Sequence, residues 1–172
     1  MHFLNLCVMK INFIILTLIK ADQNMTQAKN SIDTMKINIT EYFGLTTKAR
    51  MIVKRAEAFS EKSAGKAFYH SPSKGSSRPG TYYANLHNMQ DMPSYQMEAL
   101  AYHEGILGHH MQRAITQELD GIPEFEKYVS FTAYTEGLDL YTEELAKDMG
   151  FYQDSYSDFG RPAMELWRAC RL

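Results

Sequence analysis

Apolar residues crowd the beginning of the chain and then thin out into patterns that name their own elements. From Met1 to Ala21 the run holds Phe3, Leu4, Leu6, Val8, Met9, Ile11 and Phe13 to Ile19, interrupted by Lys10 and Asn12. Ile11–Ile19 is too short to span a membrane. It reads as a signal-like core flanked by Lys10, or as a helix or strand that packs on the remainder. No small-x-small cleavage site precedes Asp22, so cytoplasmic and exported placements both stay open. Ala21 to Lys36 is polar and reads as a linker, in part helical, which divides the chain into an N-terminal segment (1–36) and one domain (37–172).

Within that domain, Ile37-Asn38-Ile39 alternates like a short strand, and Thr46 to Arg55 fits helix or strand equally. Phe68 to His70 ends a strand, a Pro- and Gly-bounded turn runs to Gly80, and Thr81 to Leu86 reads as its hairpin partner. After the turn Asp91–Ser94, helical spacing takes over, with a break or bulge near Gly108, and lasts until Gly121-Ile122-Pro123. A second helical region covers Pro123 to Met149, Asp154 to Asp158 reads as a turn, and Ala163 to Leu172 as a last helix. The expected fold is therefore mainly α with one small antiparallel β-hairpin, in the α+β class.

Composition changes this picture little. The 172 residues are 45% apolar and 12% aromatic, which suits one globular core. A net charge of -2 gives no reason to expect nucleic acid or an anionic membrane as partner. Cys7 and Cys170 lie at opposite ends and form no metal-binding or disulfide pattern.

The chemistry is concentrated in Tyr102-His103-Glu104-Gly105-Ile106-Leu107-Gly108-His109-His110, inside an otherwise apolar run. Burying histidines and a carboxylate there is costly unless something pairs them, and a zinc ion would do so. His103-Glu104 opens like the H-E-x-x-H zinc helix, in which the glutamate is the general base. Leu107 occupies the second histidine's usual place. On an ideal helix His109 would lie roughly 120° from His103, and His110 about 10 Å further along the axis. A distortion at Leu107-Gly108 is therefore required, and it favours His109 as second ligand with His110 as the alternative. Glu136, near the start of the next helical region, supplies a third ligand and leaves a position open for water.

These strings, with Glu136-Gly137-Leu138-Asp139-Leu140-Tyr141 and Gly160-Arg161 through Trp167-Arg168-Ala169-Cys170-Arg171-Leu172, resemble the DUF885 family from about Ile37 to Leu172. That family's usual strings are H-E-x-x-P-G-H-H, E-G-W-A-L-Y and G-R-L-x-x-E-L-W-R-A-x-R-L. The resemblance implies part of a zincin-like helical fold and a gluzincin-like zinc metallopeptidase. It also implies flanking regions that the catalytic unit needs, because the family's large N-terminal helical region and its late segment have no counterpart in these residues. Leu107 stands for the family's Pro, and Leu138-Asp139 for Trp-Ala.

On this reading zinc sits on His103, His109 and Glu136, and Glu104 is the catalytic base. In gluzincins an edge strand ahead of the zinc helix binds an extended peptide, which assigns Tyr83, Ala84 and Asn85 to substrate. His110 or Tyr83 would stabilise the oxyanion, and Arg161 would meet a substrate carboxylate unless it pairs with a nearby glutamate. Asp139 is placed to orient a ligand histidine, and Glu143, seven beyond Glu136, reads first as solvated and otherwise as a further support behind a ligand. His2, His70 and His87 read as structural or solvated. Two other readings compete: an inactive metal-binding fragment, and an interaction domain whose histidines are only structural.

Overall fold

The structure is a computed structural model that describes residues 2–73 and 77–170, with side chains from Lys20 onward. The tip of the expected turn at residues 74–76 and the last two residues of the expected final helix lie outside the described residues, as do the side chains of the apolar run up to Ile19.

The expected linker is helical. Helix α1 spans His2–Tyr42 without interruption, so the expected boundary after residue 36 falls inside it. Ala21, Asn24, Ala28, Ile32, Met35 and Ile39 are all buried and recur every three or four residues, which is one helical stripe. The stripe packs on α2 and β1, introduced below. Ile37 points to solvent, so the alternation at Ile37-Asn38-Ile39 marks two faces of a helix and not a strand. Polar residues tie the same face down: Asn24 Nδ2 donates to Met92 O at 3.2 Å and Tyr42 Oη to Met149 O at 3.2 Å.

Three strands follow: β1 (Met51–Arg55), β2 (Ala67–His70) and β3 (Gly80–Ala84). The ambiguous stretch before Arg55 thus ends as a strand. The expected hairpin is present, with β2 antiparallel to β3 and Tyr69 opposite Tyr82. It does not stand alone. β1 lies parallel on the other side of β3, Val53 opposite Tyr82, so the sheet is mixed in the order β1-β3-β2. This corrects the edge-strand expectation: β3 is central, and both its ladders are filled. Ala84 O accepts from Ala56 N at 2.9 Å, while Asn85 N donates to Lys66 O at 3.0 Å.

Four helices complete the fold: α2 (Met97–Glu104), α3 (His109–Glu118), α4 (Thr132–Asp148) and α5 (Ser155–Ala169). The helical stretch expected from residue 94 to 119, with a break or bulge near Gly108, is two helices separated at Gly105–Gly108. A side chain at Gly108 would place Cβ 1.8 Å from His103 O and 2.7 Å from Tyr102 O. Only glycine lets α3 restart this close to the end of α2. His110 N donates to Gly105 O at 3.1 Å, a five-residue span that reopens the ladder on a new heading. Helix α5 begins where a turn was expected, because Asp154 caps it: its Oδ2 accepts from Ser157 N at 3.0 Å. The core lies between α1, the sheet and α2, with Met35, Tyr82, Met97, Tyr102 and Leu107 fully buried or nearly so.

Candidate metal centre

The break between α2 and α3 gathers the ligating groups. His103 and Glu104 end α2, His109 opens α3, and the first turns of α4 bring Glu136 and Asp139 against them. One ligand atom each from His103, His109, Glu136 and Asp139 lies within 4.8 Å of the others. His103 Nε2 is 3.5 Å from Glu136 Oε2, and His109 Nε2 is 3.8 Å from Glu136 Oε1. Ligands on a tetrahedral zinc with bonds near 2.0–2.1 Å sit about 3.3 Å apart. Each of these two contacts therefore needs to close by only a few tenths of an ångström. The two imidazole rings stand nearly perpendicular, at 80° with centroids 5.2 Å apart.

Each histidine is held from behind by a buried carboxylate. His103 Nδ1 meets Glu143 Oε1 at 2.8 Å, and His109 Nδ1 pairs with Asp139 Oδ2. With a carboxylate facing Nδ1 in both rings, the Nε2 atoms remain for a shared ligand. This carboxylate–histidine arrangement is the usual support of metal-bound imidazole. Glu143 is itself anchored by Arg168, whose Nη2 lies 2.8 Å from its Oε1 and whose Nη1 donates to Oε2 at 3.0 Å.

The electrostatics suit a cation. Burial pushes the His103 imidazole down, but its bonds to Glu136 and Glu143 and the charge of Glu104 outweigh this and raise its pKa to about 10. Its bond to His103 holds the Glu136 carboxyl below its usual value, against a smaller effect of burial. Burial raises Glu104, and likewise Asp139 against its pairing with His109. Glu104 Oε2 is buried, has no hydrogen-bond partner, and lies 3.8 Å from His109 Nε2. A buried carboxylate oxygen left unpaired beside two imidazoles is costly, and a cation or its water would satisfy it. Two imidazole nitrogens and a carboxylate are also a donor set that zinc accepts. The residues fit a divalent metal.

The remaining expected site residues stand elsewhere. His110 points away from the cluster and is fully buried. Tyr69 Oη lies 2.8 Å from its Nδ1 and Ala49 O 3.2 Å from its Nε2. With Nε2 protonated and donating to Ala49 O, the hydroxyl donates to Nδ1, and the ring is neutral. Burial pushes its pKa down to about 4. Tyr83 stacks on Phe68 at 4.9 Å, on the sheet face opposite Tyr82, because neighbours along a strand alternate. Asn85 Nδ2 is spent on three carbonyls, those of Glu61, Ala64 and Gly65. Arg161 pairs with Glu144.

Glu143 corrects the expectation of a solvated side chain: it is 1% exposed. Its spacing held the signal, since Glu136, Asp139 and Glu143 follow one another by three and four residues, a single helical face. Two residues near the centre had gone unweighed. Tyr69 lies over His109, with centroids 6.3 Å apart and planes at 25°. Arg113, four residues after His109, carries a charge that helps to hold the Glu136 carboxyl low.

Comparison with known proteins agrees with this geometry only at the level of family and fold. The family described as "Bacterial protein of unknown function (DUF885)" matches residues 16–172. A solved structure described as "the putative lipoprotein from Colwellia psychrerythraea" matches with a TM-score of 0.84 and 31% identity. The match covers 88% of this chain but 26% of that one, so the chain spans about a quarter of the relative's length. Curated proteins give no match. No helix among the described residues is long and apolar enough to cross a membrane.

Proposed function

The chain belongs to the DUF885 family, and we propose that it hydrolyses peptide bonds as a zinc metallopeptidase of gluzincin type, with a zincin-like arrangement of α2, α3 and α4. One observation carries the reading. Two imidazoles, each fixed through Nδ1 by a buried carboxylate, turn Nε2 toward the same glutamate.

His103, His109 and Glu136 would hold the ion. Zinc bound there supplies Lewis acidity, which lowers the pKa of water to about 7 and polarises a carbonyl. Glu104 stands beside this point with one free carboxylate oxygen. Its raised basicity, a consequence of burial, suits a group that takes a proton and returns it to the leaving amine. Asp139 and Glu143 keep the imidazole tautomers and orientations fixed throughout. Tyr69, whose hydroxyl is directed at His110 while its ring covers His109, walls the cluster on the sheet side. The peptide enters between this wall and α4, since β3 has no free edge to offer it.

Two variants separate base from ligand. Glu104→Gln is expected to retain stoichiometric zinc and lose peptide hydrolysis, whereas Glu136→Gln loses the zinc itself. Metal content by inductively coupled plasma mass spectrometry and cleavage of a mixed peptide library are the readouts. Equal metal loss in both variants contradicts the assigned roles. Retained zinc with no cleavage of any peptide by the unmodified chain favours a metal-binding fragment without peptidase activity. Iron in place of zinc would point to oxygen chemistry, for which two histidines and one carboxylate are also the usual donors.

A further inference from the structure

A second cavity adjoins the metal cluster and differs from it in charge. It has a volume of about 290 Å³ and lies between α3 and the approach to α4. Arg113, Arg78 and Lys127 line it, with Gln112, Tyr134 and Thr135 along its floor, and no acidic side chain lines it among the described residues. The floor is held rigidly: Gln112 Nε2 donates to Tyr134 O at 3.0 Å, and the Thr135 and Ser130 hydroxyls are 2.9 Å apart.

Its link to the cluster is built into both helices. Thr135 directly precedes Glu136 on α4. Arg113 follows His109 by four residues on α3, which places it on the same helical face, about 6 Å along the axis. The Arg113 charge reaches the Glu136 carboxylate and the Tyr69 hydroxyl. Lys127 is partly neutralised by Glu124 at 3.2 Å, and Arg78 reaches Ser71 O at 3.4 Å. Arg113 makes no hydrogen bond or ion pair within the described residues. An arginine left without a partner beside a cationic cavity is suited to a planar, two-oxygen anion.

We propose that this cavity is a carboxylate subsite, in which Arg113 binds a carboxylate of the peptide substrate. The inference rests on the peptidase reading for its substrate. Arg113 lies one helical turn from His109 on α3, and an extended peptide advances about 3.3 Å per residue, so a carboxylate held by Arg113 would belong to a residue close to the cleaved bond. The preferred source is therefore a free C-terminus just beyond the cleaved bond. Arg161, the arginine expected for this role, is already paired with Glu144.

The test uses the whole zinc-loaded chain carrying Glu104→Gln, so that binding is read without turnover. Three probes are titrated calorimetrically: N-acetyl-tetra-alanine as the free acid, its C-terminal amide, and the amide with one alanine replaced by glutamate. The free acid is expected to bind about 10–100-fold more tightly than the plain amide, the weight of one charge-assisted contact. Adding Arg113→Gln brings that ratio close to one, and Arg113→Lys, which keeps charge but not the fork, leaves it intermediate. A glutamate-bearing amide that matches the free acid, and loses its advantage with Arg113→Gln, assigns the cavity to an acidic side chain and still supports a carboxylate subsite. Equal binding of all three probes, or an acid preference that survives Arg113→Gln in a variant of unchanged circular dichroism, overturns the proposal. Cleavage by the chain with Glu104 intact separates the two claims. Acid and amide cut equally, with no effect of Arg113→Gln, sinks the subsite and spares the peptidase. Arg113-dependent acid binding with no cleavage does the reverse.

Discussion

Removing Glu143 tests whether the centre depends on its carboxylate supports. Glu143 carries two loads, one on His103 Nδ1 at 2.8 Å and one on Arg168. Glu143→Ala releases the His103 ring and leaves a partly exposed guanidinium without its anion. Loss of a carboxylate behind a ligating histidine typically costs 10–100-fold in metal affinity, or about 1.4–2.7 kcal/mol. The ion-pair load is separable. Arg168→Met keeps the His103 contact and removes only the outer anchor, so it should lower unfolding stability by about 1–3 kcal/mol, the cost of an unsatisfied buried group, and leave metal affinity within a few-fold. Competition against a fluorescent zinc chelator measures the first quantity, and urea unfolding of the metal-free proteins the second. If Glu143→Ala and Arg168→Met lose stability alike and neither changes zinc affinity, Glu143 is a structural ion-pair partner and the support argument fails.

His109→Ala is expected to weaken zinc binding more than 100-fold, as befits a ligand and not its support. His110→Ala keeps zinc within tenfold but destabilises the fold by about 2–4 kcal/mol, since it opens a cavity and breaks two buried hydrogen bonds; the chelator and urea assays again decide. Gly108→Ala drives a methyl into the His103 carbonyl, at about 1–3 kcal/mol for an overpacked site, and the displaced α3 should lose zinc as well; unchanged melting and metal content would refute the close-approach argument. Glu118 accepts from Thr47 Oγ1, Lys48 N and Ala49 N, and these bonds outweigh burial to hold its carboxyl below the usual 4.5. A lowered folded pKa gives stability that is complete above the unfolded value and is lost as pH falls through the folded one. The urea midpoint of Glu118→Gln should therefore fall less than that of the unmodified chain on going from pH 7 to pH 3.

What could be read from the chain followed the range of the interactions involved. The His103-Glu104 and His109-His110 spacing, the need for a distortion at Gly108, and the hairpin are local, and each was legible. Helix α1 was not, because its inner stripe mixes Ala21, Asn24 and Ala28 with Ile32, Met35 and Ile39, and small or amide residues weaken an apolar period. The partner of β3 was hidden for another reason. A parallel pairing between Met51–Arg55 and Gly80–Ala84 spans a long loop and leaves no turn signature. Glu143 was misread because a carboxylate on an amphipathic helix is ordinarily solvated, and its two partners, His103 and Arg168, lie 40 and 25 residues away. Asp139 stands where the family string has alanine, so its place behind His109 came from spacing alone.

The charge of this region calls for a cation independently of any family resemblance. Helix α4 puts Glu136, Asp139 and Glu143 on one face, and α2 adds Glu104, so four carboxylates converge on one region. Arg168 is the only guanidinium among the described residues that contacts them directly, and the two histidines are neutral when they act as ligands. That leaves a net charge of about -3 around partly buried oxygens, which the fold cannot hold at neutral pH without a counter-charge. Protonation is one source, since the bonds of His103 to Glu136 and Glu143 and the charge of Glu104 raise its pKa against the opposing effect of burial. A divalent ion would answer the same demand better: on the proposed reading His103, His109 and Glu136 would hold it, and Asp139 and Glu143 would stay beside the Nδ1 atoms. Metal and proton therefore compete for one position, and metal binding must release the proton as the ion enters.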